Sequence, residues 1–67
     1  MKIAENLKRI RTEKGISQKE LAREANCTQA MIGHIEGGNK IPSLALAYNI
    51  ANILGCTIDD ICRDKGA

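Results

Sequence analysis

The sequence predicts an all-α fold of five short helices. Apolar residues recur at intervals of three and four, the helical period, as in Ile3, Leu7 and Ile10 or in Ala47, Ile50, Ala51 and Leu54. Residues suited to opening a helix precede these stripes, and glycines or Asn26 follow them. No alternating apolar run flanked by turn residues suggests a strand, and the one proline, Pro42, falls between stripes. With 67 residues the chain is expected to form a single domain, 1–67, folded over about 2–63 with a short tail at 64–67. Its core must be aliphatic, because there is one Tyr and no Trp or Phe.

Helix 1 carries Ile3, Leu7 and Ile10 on one face, is basic on its others, and ends at Gly15. Ser17 caps helix 2, and Glu20, three residues on, reaches back to the cap's own amide, which makes a capping box. Asn26 stands where a chain leaving a helix turns left-handed, a conformation Asn tolerates better than any residue except Gly. Thr28 caps helix 3, which stops at Gly37-Gly38. Leu21, Ala22, Ala25, Ile32 and Ile35 let helices 2 and 3 share one core, leaving Thr28, Gln29, Ala30, Gly33 and His34 facing outward. Two short helices, a tight turn and a polar tip on the second are the pattern of a helix-turn-helix. Pro42 and Ser43 open helix 4, whose buried stripe is read as Leu44, Ala47, Ile50, Ala51 and Leu54, as far as Gly55. Thr57 caps helix 5, with Asp59 and Asp60 at its positive N-terminal end.

Composition narrows the function classes. The net charge is only +2, but Lys2, Lys8, Arg9, Arg11 and Lys14 crowd the first helix whereas Asp59, Asp60 and Asp64 lie at the far end. Such a layout orients a domain on a polyanion. No apolar run is long enough for a membrane span and no signal peptide opens the chain. Cys27, Cys56 and Cys62 lack the spacing of a disulfide framework, so a cytoplasmic, reducing location is expected. One His and three scattered Cys do not make a metal site, and Gly37-Gly38 follows a helix where a phosphate loop would open one. An enzyme, a metal and a cofactor are therefore not expected.

The segments Leu7-Lys8-Arg9-Ile10-Arg11, Lys14 to Ala22, Ile32-Gly33-His34-Ile35-Glu36-Gly37-Gly38, Pro42-Ser43-Leu44 and Ile50 to Gly55 resemble the phage-repressor or Cro-like helix-turn-helix proteins, the Xre family. The resemblance runs from about Ile3 to Cys62. It implies a lambda-repressor-like domain whose helix 3 enters the major groove of double-stranded DNA. The base-reading positions it implies are Thr28, Gln29, Ala30, Gly33 and His34. Gln29 can donate and accept together, matching the N6 and N7 edge of adenine, although a surface glutamine is ordinarily just solvated. Thr28 would meet a base or a phosphate, Ala30 a thymine methyl, and Gly33 allows close approach. His34 is either a donor to guanine or phosphate or a plain exposed side chain.

Phosphate contacts are implied for Gln18, Lys19, Asn39, Lys40 and Arg11, with Arg11 also forming a mainly structural pair with Glu36. Two departures from the family pattern stand out. Gly33 inside the reading helix costs it about 1 kcal/mol relative to Ala. Ala30 removes a polar side chain, so specificity would rest on few contacts and on DNA shape.

Leu46, Ile53, Ile58, Ile61 and Cys62, with Tyr48, suggest an apolar surface near the C-terminus. It reads either as the ordinary apolar exposure of a small protein or as the interface of a homodimer. The expected function is a sequence-specific transcriptional regulator, a repressor, that binds a palindromic operator as a homodimer. The alternative is a protein-interaction module, such as an antitoxin or assembly adaptor, that uses the C-terminal apolar surface and has a protein partner.

Overall fold

The computed structural model describes residues 1–64. These form five helices and no strand: α1 Ile3–Glu13, α2 Gln18–Glu24, α3 Gln29–Glu36, α4 Leu44–Leu54 and α5 Ile58–Cys62. Of the expected tail, 65–67 lie outside the described residues, and Asp64 sits 3.3 Å from the N-terminal ammonium of Met1.

Local chemistry fixes where the helices begin. Ser17 Oγ accepts from the Glu20 N–H at 3.0 Å while Glu20 Oε1 accepts from the Ser17 N–H at 3.2 Å. Thr57 and Asp60 repeat that reciprocal box ahead of α5, both bonds at 3.0 Å. Thr28 Oγ1 accepts from the Met31 N–H and Ser43 Oγ from the Leu46 N–H, so α3 and α4 are capped in the same way. Each cap satisfies an amide the helix itself leaves unbonded and contributes about 1 kcal/mol.

The exits of α1 to α4 share one device. An amide reaches back to the carbonyl five residues earlier in Ile16 to Arg11, Cys27 to Ala22, Asn39 to His34 and Cys56 to Ala51, at 2.9–3.2 Å. The residue before each donor is left-handed: Gly15, Asn26, Gly38 and Gly55. This closing turn satisfies the last carbonyls and reverses the chain within two or three residues.

Leu7, Leu21, Ile32, Ile35, Ile50, Leu54 and Ile61 are the large, fully buried side chains. The α3 helix packs on both α1 and α2, and α5 packs on α1 and α4. Two placements correct the sequence reading. Leu44 was expected in the buried stripe of α4 but is 75 % exposed, because the core does not reach that helix's first turn and burial begins at Ala47. Ile61 was expected at the surface but is 2 % exposed and joins the core cluster. The cause is the seat of α5 on α1, where buried Asn6 donates from Nδ2 to the carbonyls of Ile61 at 2.8 Å and Arg63 at 2.7 Å.

Candidate nucleic-acid interface

The outward face of α3 is built from its N-terminus. The Thr28 cap fixes the first turn, and helical periodicity with Ile32 and Ile35 buried turns the opposite side to solvent. Thr28, Gln29, Ala30 and His34 are exposed and Gly33 is half-buried. Gln29, Ala30, Gly33 and His34 line, together with Gln18 of α2, a shallow open depression of about 500 Å³. Four of the five positions implied by resemblance therefore line one hollow, where Ala30 and Gly33 carry little or no side chain, while Thr28 caps the helix at its entrance.

Behind that face stands a charged joint between three helices. The Glu36 carboxylate, at the end of α3, accepts from Arg11 Nε at 2.6 Å and Arg11 Nη2 at 3.0 Å, while Arg11 Nη1 donates to the Ile16 carbonyl at 2.8 Å. Gln18 Nε2 adds a fourth bond to Glu36 Oε1 at 3.1 Å. The side chains of Arg11 and Glu36 are only 10 % and 4 % exposed. Burial alone would push the Glu36 carboxyl up, but the hydrogen bonds from Arg11 and Gln18 and the Arg11 charge outweigh it and hold the carboxyl below its ordinary value. The hydrogen bond to Glu36 likewise raises Arg11 against the opposing effect of burial.

This joint bears on the expected phosphate contacts. Arg11 has three N–H groups engaged inside the fold and little surface, which favours the structural role expected of its pair with Glu36 over the phosphate contact. Gln18 is half-buried with its amide nitrogen committed to Glu36. Lys19, Asn39 and Lys40 are exposed, Asn39 and Lys40 in the loop directly after α3.

The apolar surface is distributed differently from the expectation. Leu46, Ile53 and Ile58 are half-buried against the core, Cys62 is half-buried, and Ile61 lies inside. The strongly exposed side chains are instead Ile41 at 73 %, Leu44 at 75 % and Tyr48 at 57 %. At about 100° per residue, Leu44 and Tyr48 lie on one flank of the buried stripe of α4 and Leu46 and Ile53 on the other. Sequence reading missed Ile41 and Leu44 as exposed side chains; the four-residue spacing of Leu44 and Tyr48 already placed those two on one side of α4, whereas Ile41 lies in the loop before it.

A second concavity, of about 550 Å³, lies between α1 and the α4–α5 corner, away from α3. Its walls mix Arg9, Lys14 and Arg63 with Glu13, Asp60 and Asp64, so it offers no net charge to a polyanion. Burial raises the thiols of Cys27 and Cys56, and no group of three or more potential ligands gathers among the described residues. No helix among them is long and apolar enough to cross a membrane.

A family model described as helix-turn-helix, HTH_3, matches residues 7–61. An uncharacterized HTH-type transcriptional regulator of Archaeoglobus fulgidus is 34 % identical over 55 residues, covering 82 % of this chain and 79 % of its own. Among solved structures, the restriction-modification controller protein C.AhdI of Aeromonas hydrophila superposes with a TM-score of 0.85 at 28 % identity, covering 90 % of this chain and 91 % of its own. A chain of the SinR–SinI protein complex gives 0.88 at 26 % identity over 96 % of this chain, which spans 63 % of that longer chain.

Proposed function

The chain belongs to the HTH_3 helix-turn-helix family of transcriptional regulators, and we propose that it is a sequence-specific repressor that binds a palindromic operator in double-stranded DNA as a homodimer. The observation that carries this reading is the outward face of α3, with Gln29, Ala30, Gly33 and His34 on one side of a helix whose other side is locked into the core and Thr28 exposed at its N-cap. An α-helix fits the major groove, and side chains at its N-terminal end reach base edges.

Gln29 is the principal reader, presenting an amide to the N6 and N7 edge of adenine. Ala30 and Gly33 allow close approach, and His34 supplies a donor at the far side of the depression. Lys19, Asn39 and Lys40 contact phosphates and set the register without reading sequence. The joint at Glu36 holds the angle of α3 against α1 and α2, so the reading face arrives preformed.

One helix of eight residues buries too little surface for tight specific binding, which favours two copies on adjacent half-sites. The exposed Ile41, Leu44 and Tyr48 provide the pairing face. Ile41 directly follows Lys40, so a contact there would set the spacing of the two reading helices close to the DNA. Selection of bound sites from a random duplex pool tests the reading. A two-fold consensus with half-sites about one helical turn apart is expected. Binding to all duplexes alike, with only a salt-dependent component, would overturn it.

The same exposed side chains favour a second reading, an interaction module whose partner is another protein. A similar solved chain comes from a SinR–SinI protein complex. Under that reading Leu44→Glu abolishes function while Gln29→Ala does not.

A further inference from the structure

We propose that Gln18 reads a base: held by Glu36, its carbonyl oxygen accepts a hydrogen bond from the exocyclic amino group of an adenine or a cytosine in the major groove. The inference rests on the DNA-reading function proposed above and goes beyond the phosphate contact that resemblance implied for this residue.

The argument starts from the orientation of one amide. A carboxylate can only accept, and Glu36 is buried with both oxygens already receiving donors from Arg11. Gln18 must therefore turn its nitrogen to Glu36, and does so at 3.1 Å. The reverse orientation would set a carbonyl oxygen against a carboxylate. With Nε2 fixed on Glu36, Oε1 lies 4.0 Å from the point where a Cβ would stand on Gly33. Gly33 has no side chain to cover it, and Gln18 lines the depression together with Gln29, Ala30 and His34.

An acceptor on the wall of a groove-facing hollow selects its partner by chemistry. Phosphate oxygens carry no proton to give that oxygen and can meet only the second N–H of the Gln18 amide, the one not spent on Glu36. On the major-groove edge the donors are the N6 amino group of adenine and the N4 amino group of cytosine, whereas guanine and thymine present acceptors there. Gln18 thus favours A or C at its position and penalises G or T. It restores a polar reading element to a face that Ala30 and Gly33 leave sparse.

The test uses the full chain and its selected duplex. Each adenine in the site is replaced in turn by purine, which lacks the N6 amino group, and each cytosine by 2-pyrimidinone, which lacks N4. Besides the adenine assigned to Gln29, wild type is expected to lose affinity on the order of three- to tenfold at one further position per half-site, the effect of a single hydrogen bond, and Gln18→Met to be insensitive at that further position only. The base that responds tells adenine from cytosine.

Gln29→Ala gives a second measure that does not depend on how well Gln18→Met folds. An amino-dependent position must survive removal of the Gln29 amide. The absence of any such position, or a Gln18→Met protein weakened alike on every sequence, overturns the inference. Failure of wild type to enrich any duplex would instead sink the DNA-reading function itself.

Discussion

Arg11 in α1 and Glu36 at the end of α3, 25 residues apart in sequence, are joined by two N–H···O bonds of 2.6 and 3.0 Å with both side chains almost wholly buried. Breaking one side leaves a buried charge without its partner, which is far more costly than removing both. Glu36→Gln should lower the unfolding free energy by about 3 kcal/mol in urea titration. The double variant Arg11→Met with Glu36→Leu should be less destabilised than either single variant, and an additive result would deny the coupling.

The same carboxyl makes stability depend on pH. Glu36 is held below its ordinary value in the fold, so the unfolded chain binds its proton more readily. The stabilisation is complete above the ordinary carboxylate value of about 4.3 and is lost as pH falls from there through the folded value. The stability gap between wild type and Glu36→Gln should narrow from pH 7 to pH 3. A gap that stayed constant would mean that Glu36 does not titrate in that window.

Reading and gripping should separate by variant. Gln29→Ala is expected to relax preference at one base pair and cost about 1–3 kcal/mol on the selected site. Lys40→Ala should weaken all duplexes similarly and flatten the salt slope by about one unit. An unchanged consensus for Gln29→Ala would remove α3 from the role of reader.

Gly33 weakens α3 for no reason of space. A Cβ there would meet only Gln18 Oε1 at 4.0 Å, an ordinary contact. Gly33→Ala should therefore raise stability by about 1 kcal/mol, seen as a higher Tm. A lower Tm would show that the depression cannot accept even a methyl group.

Leu44→Glu places a charge on the flank of α4 that carries Tyr48, without entering the core. Sedimentation should then report a monomer at concentrations where wild type is a dimer. Unaltered mass would move the interface to the other flank, at Leu46 and Ile53.

The helix framework was legible because its signals are local. Ser17 with Glu20, Thr28, Ser43 and Thr57 act within three residues of themselves, and all four caps form. Asn26 and the glycines act on their own backbone, and the all-α expectation and the family resemblance both held. What escaped were positions decided by distant partners. Periodicity placed Leu44 on the inner side of α4 but could not say where the core ends. Ile61 is buried because α5 sits on α1, which Asn6 secures from 55 residues away. Beside the outward face of α3, the family resemblance marked Gln18 as a phosphate contact, yet the direction of its amide depends on a carboxylate 18 residues on.

The exit from the reading helix has a stereochemical consequence. Gly38 has φ +80°, and nothing stands within 4 Å of where a Cβ would project. What bars an ordinary side chain there is handedness and not crowding. A mirror-image residue prefers that backbone region, so a chemically synthesised chain with D-alanine at position 38 should fit the turn without strain. It would restrict the unfolded chain and stiffen the junction behind α3 while leaving every exposed side chain of α3 as it is.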